Sequence, residues 1–394
     1  MSGIVLVLSS CDKELSETDE NKILSKLSPL EEELISSTNQ LSIDLLKAEY
    51  ALNADQNHFF SPVSINMALG MVYNAVGKQE KLQILQSTGL ETMGQTDLNK
   101  TYNQLLGFLQ TSNQYDKISY ANSMWFSMNL QINEEFRTRV MAYYDAEIGE
   151  LNFNRPSCLE QINQWGKMKT RGSFEQIMES APNKNSGIFL INAFGLHASW
   201  KPQHLFADQK VFINAKGEQQ EAQMLNWDGL DIELNENEDC AFIEFPFEDK
   251  SFYFSAIVPT GWRTTEDIMH DFSIEKLKTL QQNASPAKAN LTMPDISFSD
   301  SKALKTTLSQ IGLEQIFSSK ADLSPSFEAN QNRLDNINHK ASITISSPIN
   351  VNPEPAFARE NFRQLTIDRP FIYFIRDKHT QTILFAGYFA NPTN

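Results

Sequence analysis

Few residues in this chain have the types and spacing that mark catalytic or metal sites. Its six histidines are scattered, and the zinc motif H-E-x-x-H does not occur. The hydrolase motif G-x-S-x-G does not occur either. The stretch from Gly70 to Lys78 matches a phosphate-binding loop poorly, because six residues separate its glycines and Gln79 replaces the hydroxyl. We therefore expect a protein that is not an enzyme and needs no cofactor or metal.

Cys11 is the cysteine whose surroundings suggest chemistry. The three cysteines, Cys11, Cys158 and Cys240, have no C-x-x-C spacing, so neither a zinc nor a dithiol site is indicated. Leu8-Ser9-Ser10-Cys11 follows an apolar stretch and fits the lipobox of bacterial lipoproteins, in which the cysteine carries lipid. The fit is incomplete, since the apolar stretch is short and no basic residue precedes it. Residues 1–11 are predicted to be a signal segment ending in a lipid anchor at Cys11; an ordinary apolar chain end is the alternative.

Composition narrows the class of protein. The chain has 394 residues, 41% of them hydrophobic, and a net charge of −16. This composition excludes a disordered chain, and the acidity argues against binding to nucleic acid or to anionic lipid through a basic face. No apolar run reaches the length of a membrane span. Residues 12–36 carry eight acidic and three basic residues and are expected to form an acidic tether.

The elements that must position any site are mixed along the rest of the chain. Periodicity and caps predict helices at 38–53, 61–75, 79–87, 97–110, 133–145 and 158–171. Residues rich in β-branched and aromatic types predict strands at 118–126, 187–196, 240–246, 252–258 and 291–293, and a hairpin from 371–376 and 382–386. Without regular β-α-β alternation, and with no linker or repeat after residue 36, this is an α+β pattern in one large domain.

Several separated motifs together resemble the serpin family. Phe59-Phe-Ser-Pro-Val-Ser-Ile65 looks like the family's helix-opening motif, and Ile162-Asn-Gln-Trp165 like a second family segment. Leu190-Ile-Asn-Ala193 is similar to a family strand, while Arg369-Pro-Phe371 and Ile383-Leu-Phe-Ala-Gly387 resemble the C-terminal hairpin. Each motif alone is weak, but their order and spacing identify residues 37–394 as a serpin domain. The resemblance implies three β-sheets, eight or nine helices and an exposed reactive-centre loop at about 346–366.

The resemblance also implies a mechanism and its residues. Serpins offer the loop as bait to a protease, and the cut loop then enters a β-sheet that opens. Four residues match the polar cluster beneath that opening, called the shutter: Ser61, Ser64, Asn192 and His339. Trp200 matches the tryptophan at the top of the sheet, the breach, where insertion begins. Ordinary capping and core packing are the alternative roles of these side chains.

The hinge of the loop departs from the family pattern. Inhibitory members usually carry Gly-Thr and a run of Ala where this chain has Ser347, Pro348, Ile349 and Asn350. Pro353 and Pro355 follow. Because proline has no N–H to donate, it is found only at edges or bulges of a sheet, and an inserted loop is a central strand. The hinge therefore argues against insertion, although the family favours it.

The cleavage site is an arginine on either of two counts. Counting back from Pro370 places the reactive bond between Arg359 and Glu360. Counting forward from Ser347 places it between Arg363 and Gln364. Arginine suits a trypsin-like protease with an acidic specificity pocket. We expect a monomeric protease inhibitor that is extracytoplasmic, on the cell surface or in the periplasm, and that meets the membrane only through a lipid anchor; a non-inhibitory serpin is the alternative.

Overall fold

A computed structural model describes residues 27–111, 117–182, 187–200, 205–328, 333–346 and 362–392. Within these ranges, no helix is long and apolar enough to cross a membrane. The described helices are α1 (Pro29–Leu52), α2 (Pro62–Ala75), α3 (Lys78–Thr88), α4 (Gln95–Thr111), α5 (Glu134–Tyr144), α6 (Cys158–Lys169), α7 (Thr265–Asp271), α8 (Ile274–Gln282) and α9 (Lys305–Leu308). A π-helical turn, Ser309–Leu313, and a 3-10 turn, Glu314–Phe317, follow α9.

The strands form two hydrogen-bonded networks among the described residues. They are β1 (His58–Phe60), β2 (Ile118–Ser127), β3 (Ala146–Leu151), β4 (Ile188–Ser199), β5 (Leu205–Ile213), β6 (Gln219–Glu236), β7 (Cys240–Pro246), β8 (Phe252–Pro259), β9 (Ser285–Pro294), β10 (Phe298–Ala303), β11 (Leu334–Ser346), β12 (Arg363–Thr366), β13 (Phe371–Asp377) and β14 (Ile383–Phe389). The smaller sheet has the order β10-β11-β4-β2-β3. The larger has the order β1-β14-β13-β8-β7-β6-β9-β12, with β5 added on β6.

Strand β6 joins two parts of the larger network. Its first half pairs with β5, and its last four residues pair with β7. Between these two paired segments of β6, its register with β9 shifts between Trp227 and Leu230. The expected α+β fold is confirmed, and two of its three sheets are continuous here because they share β6.

Helix α2 lies between the two sheets. Its position explains why the segment that begins with Phe59-Phe-Ser-Pro is so apolar. All of its residues are buried. It packs against β4 of the smaller sheet and β14 of the larger one. Such a helix is stable only inside a core, where Asn66 and Asn74, two of its few polar side chains, are hydrogen-bonded. Its N-terminus therefore brings Ser61 and Ser64 directly beneath the smaller sheet.

The first helix begins earlier than the sequence analysis predicts. Ser28 caps α1 by accepting from the Glu31 backbone N–H, and the Glu31 carboxylate accepts from the Ser28 N–H. Pro29 occupies the first turn, where a missing N–H costs nothing. Leu34, expected in the tether, is fully buried. The acidic tether predicted at 12–36 therefore cannot extend through residues 29–36, which form the first turns of α1.

The C-terminal hairpin supplies the second and third strands of the larger sheet, next to the edge strand β1. Strands β13 and β14 pair from Phe371 with Phe389 onward, close to the predicted bounds. All of β14 is buried. A Cβ at Gly387 would lie 2.2 Å from the Tyr373 ring, so only glycine fits there. The hairpin holds β14 beneath α2 and so supports the helix that carries Ser61 and Ser64.

Candidate functional site

Strands β4 and β11 form a long parallel pair at the centre of the smaller sheet. Their register runs from Leu334 opposite Ile188 to Ser346 opposite Ser199. Strand β10 flanks β11, and β2 flanks β4. The chain leaves β11 at Ser346 and returns at Phe362. A segment that folded back from Ser346 would thus run antiparallel between β11 and β4 if the two strands parted.

A buried hydrogen-bond cluster bridges this pair to the start of α2. The Ser61 backbone N–H donates to Nε2 of His339 over 2.9 Å. Nδ1 of His339 lies 3.0 Å from Oδ1 of Asn192. The Asn192 amide then donates to the Ser64 carbonyl over 2.6 Å and to its hydroxyl over 3.0 Å. The structure therefore brings together all four residues predicted for the shutter, each of them at most 1% exposed.

The bonds around His339 determine its protonation state. A backbone N–H can only donate, so Nε2 of His339 must be an acceptor and the ring must be neutral. Nδ1 then carries the proton and donates it to Asn192. Burial lowers the pKa of His339, the Lys302 charge lowers it further and the Glu49 charge opposes them, so that the pKa is about 3. The cluster is consequently a chain of neutral donors and acceptors that links β11, β4 and α2.

The cap of α2 explains why Ser61 lies under the sheet. Its hydroxyl accepts from the Ser64 N–H over 3.4 Å, and Pro62 occupies the first turn. The extended backbone of Ser61 leaves its own N–H outside the helix, aimed at His339. Capping and the bond to His339 are therefore compatible functions of this residue.

Trp200 lies at the end of β4 where the chain leaves β11. Its backbone N–H donates to the Ser346 carbonyl over 3.0 Å. The indole is fully buried and stacks on Phe247, with ring centroids 4.5 Å apart. Trp227 and Phe254 meet it edge-on. Trp200 thus joins the top of the parallel pair to an aromatic cluster in the larger sheet.

The comparisons with known proteins agree with this geometry. A family model described as "Serpin (serine protease inhibitor)" matches residues 36–392. The chain belongs to the serpin family. That match covers the described sheets, the cluster around His339 and the segment between β11 and β12.

Curated serpin relatives match along nearly their whole length. The leukocyte elastase inhibitor of Xenopus tropicalis is 25% identical over 382 residues, which cover 92% of this chain and all of the relative. The human plasma serine protease inhibitor is 23% identical over 371 residues, 91% of this chain and 90% of that protein. Both are animal proteins, so they give no support to the expectation of a bacterial lipoprotein.

Solved serpin structures share the fold at low identity. Native protease nexin-1 with heparin superposes with a TM-score of 0.80 at 22% identity, covering 93% of this chain and all of that one. Mouse protein-Z dependent protease inhibitor superposes with a TM-score of 0.84 at 18% identity, covering 95% of this chain and all of that one. At these identities the similarity establishes the fold alone.

The predicted cleavage and hinge residues of this serpin fall into two groups. Arg359, Glu360 and the hinge residues lie outside the described residues, the hinge comprising Ser347, Pro348, Ile349 and Asn350. Arg363 and Gln364 lie in β12, which pairs in parallel with β9. Arg363 also forms an ion pair with Glu236. A protease needs an extended segment free of such pairing, so this placement weighs against the alternative cleavage site at Arg363.

Sequence reasoning missed a buried charged cluster beside the shutter. Glu49 from α1, His58 from β1, Lys302 from β10 and Thr307 from α9 meet below β11. No motif marks them, because they come from four elements up to 258 positions apart in the chain. Within the described ranges, no group of three or more His, Cys, Asp or Glu side chains is arranged to hold a metal ion.

Proposed function

We propose that this serpin inhibits a trypsin-like serine protease by offering the segment between β11 and β12 as bait. The protease serine attacks the Arg359 carbonyl carbon, the bond to Glu360 breaks, and the Glu360 amine leaves with a proton. The freed end of the segment then enters the smaller sheet between β11 and β4. The observation that carries this proposal is that β11 leads directly into the bait while its parallel neighbour β4 is held to it through His339.

Opening the pair breaks the His339–Asn192 bond together with the ladder bonds between β11 and β4. His339 keeps its bond from Ser61 and Asn192 keeps its bonds to Ser64, so one atom of each side chain, Nδ1 of His339 and Oδ1 of Asn192, needs a new partner. Both atoms are free to bond to the backbone of an inserted strand. A buried donor or acceptor left alone would cost about 1–3 kcal/mol, so a cluster that can exchange partners lowers the barrier to opening.

A second function, a serpin that is cleaved without trapping its protease, is favoured by one observation. The segment carries Pro348, Pro353 and Pro355. Each would leave an acceptor on a neighbouring strand unpaired, at about 1–3 kcal/mol per site. Pro353 and Pro355 would also face the same neighbour, since positions two apart in a strand point the same way. The prolines oppose insertion by several kcal/mol in total.

Incubation with trypsin separates the two functions. An inhibitory serpin gives a complex of protease and serpin that survives boiling in SDS, because the acyl ester is trapped when the loop inserts. A substrate serpin gives only the two fragments of a cut after Arg359. Catalytically inactive trypsin is the matched control, since it binds the bait without forming an ester. Cleavage of all the serpin by active trypsin with no such complex contradicts the inhibitory proposal.

We propose, further, that Cys11 anchors a monomeric protein outside the cytoplasm, on the cell surface or in the periplasm. Cys11 lies outside the described residues, and its lipobox-like context supports the proposal. Cells that express the full chain are labelled with a palmitate analogue, and Cys11→Ala is compared with Cys158→Ala. Label that is lost only in the Cys11 variant supports the anchor, and equal label in both variants contradicts it.

A further inference from the structure

Four side chains form a compact buried network below β11, which we call the Glu49 cluster: Glu49, His58, Lys302 and Thr307. Nζ of Lys302 lies 2.7 Å from Oε2 of Glu49 and 3.3 Å from Nδ1 of His58. Thr307 donates to Oε1 of Glu49 over 2.5 Å. The Lys302 side chain is 15% exposed and that of Glu49 only 9%. A buried ion pair often adds no net stability over apolar side chains of similar size, so we expect this pair to have a specific role.

The cluster lies directly beside the shutter. In the antiparallel pairing of β10 with β11, Lys302 is opposite His339. Side chains opposite each other in such a pair lie on the same face, with Cβ atoms about 4.5–5.5 Å apart. The Lys302 ammonium is thus the nearest cation on the neighbouring strand to the imidazole that joins β11 to β4.

Protonation of His339 would break the shutter. A protonated ring has two N–H groups, and Nε2 would then face the Ser61 N–H, donor against donor. The charged and titratable groups on the elements packed around His339 are Lys302 and Asp300 on β10, Glu49 on α1 and His58 on β1. The neighbours Ser61, Ser64 and Asn192 are neutral. Of these groups, Lys302 opposes a second positive charge, and Glu49 both favours one and fixes Lys302 in place.

We propose that Lys302, held by Glu49, is a positioning residue that adds to burial in keeping His339 neutral, so that the β11–β4 pair opens in response to the bait and not to mild acid. That the strands open to receive the bait rests on the proposed inhibitory function. The effect of the Lys302 charge on His339 does not rest on it, because the two side chains lie opposite each other in the uncut protein.

The direct test is the titration of His339 by NMR in two variants that differ only in the Lys302 charge. Glu49→Gln retains the ammonium, which still has Asp300 at 3.3 Å, and Glu49→Gln/Lys302→Met removes it. Neither variant leaves a buried carboxylate without its cation, so both should fold. We expect the pKa of His339 to be about one to two units higher in the double variant, because the positive charge opposite it on β10 is lost. Equal values in the two variants would overturn the proposal.

Hydrogen exchange of the same pair then connects the charge to the sheet. Exchange of the β11 amides is measured from pH 3 to 7 and corrected for intrinsic rates, with β13 of the larger sheet as an internal control. The double variant should lose protection in β11 at a pH about one to two units higher than Glu49→Gln, with β13 unchanged. Superimposable β11 profiles would contradict the role of Lys302. Neither measurement uses a protease, so a serpin that trypsin merely cleaves could still confirm it.

Discussion

The neutral side chain of His339 links three elements of this serpin. One ring nitrogen accepts a hydrogen bond from α2, and the other donates one to β4. The family resemblance predicted that Ser61, Ser64, Asn192 and His339 lie together, and the structure places them in one hydrogen-bonded cluster. The adjacent Glu49 cluster has no sequence motif, and only the folded chain brings its members together.

The stability of the protein should fall in mild acid because of His339. The pKa of His339 is about 3 in the folded chain against its ordinary value of 6.5, so the unfolded chain binds the extra proton between those values. The contribution is complete above about pH 6.5 and is lost as the pH falls towards 3, at about 1.4 kcal/mol per pH unit.

Urea unfolding from pH 5 to 7.5 checks this expectation against His339→Gln. A glutamine can accept from Ser61 and donate to Asn192 without titrating. Burial would raise the pKa of Glu49, but bonds from His58, Lys302 and Thr307 and the Lys302 charge lower it to about 2. The stability that Glu49 adds is therefore lost only below about pH 4.5, outside the measured window. Parallel pH profiles for the wild type and His339→Gln would contradict the assignment.

Two arginines compete as the cleavage site, and they should behave differently. Arg359→Ala should abolish the trypsin cut in the segment between β11 and β12. Arg363→Ala should leave that cut in place, because Arg363 is held in β12 and paired with Glu236. Mass spectrometry of the fragments after limited digestion identifies the bond. Cleavage that persists after residue 363 in the Arg359 variant would reverse the assignment.

At the scale of elements, the sequence predicted those with strong local signals and missed those that depend on partners. Helix α2 was predicted to within one residue and the β13–β14 hairpin to within three, since caps and apolar runs mark them. Strands β5 and β6 were missed, because the polar runs Asp208–Lys210 and Gln219–Glu221 interrupt their apolar pattern and only pairing makes them strands. The start of α1 was also missed, although Ser28, Pro29 and Glu31 form a recognisable cap.

Ser28→Ala should show that α1 begins at its observed cap. Losing a serine N-cap costs about 1 kcal/mol of unfolding free energy. Ser36 is exposed within the same helix, so Ser36→Ala should have no destabilising effect. Chemical unfolding of both variants measures the difference. If the two are equally stable, residues 28–31 do not form the functional start of α1.

The prolines of the bait should limit insertion as a strand, whichever arginine is cut. Pro353→Ala/Pro355→Ala restores two backbone donors, so a larger share of trypsin should be captured in SDS-stable complex. Glu354→Ala lies between the two and leaves both prolines in place, which makes it the matched control. The readout is the number of serpin molecules consumed per protease molecule trapped. No change in that number for the double variant would show that the prolines do not restrain insertion.

The contacts of the whole molecule converge on one parallel pair of strands, β4 and β11. Helix α2 and β14 support the shutter from below, Trp200 joins the top of the pair to the larger sheet, and the Glu49 cluster borders it on the side of β10. Composition argues against nucleic-acid binding but could not find the bait, because neither length nor charge records which strands are neighbours. The family resemblance supplied that topology, and the structure supplied the contacts.

The melting temperature before and after the bait is cut tests the account most directly. Trypsin is used to cleave the segment between β11 and β12, the protease is removed, and the cleaved and intact chains are melted side by side. If the cut segment becomes a strand between β11 and β4, the cleaved chain gains ladder bonds at every position except the prolines and melts at a higher temperature. An unchanged or lower melting temperature would contradict the account, because it would mean that the pair does not open to receive the cut segment.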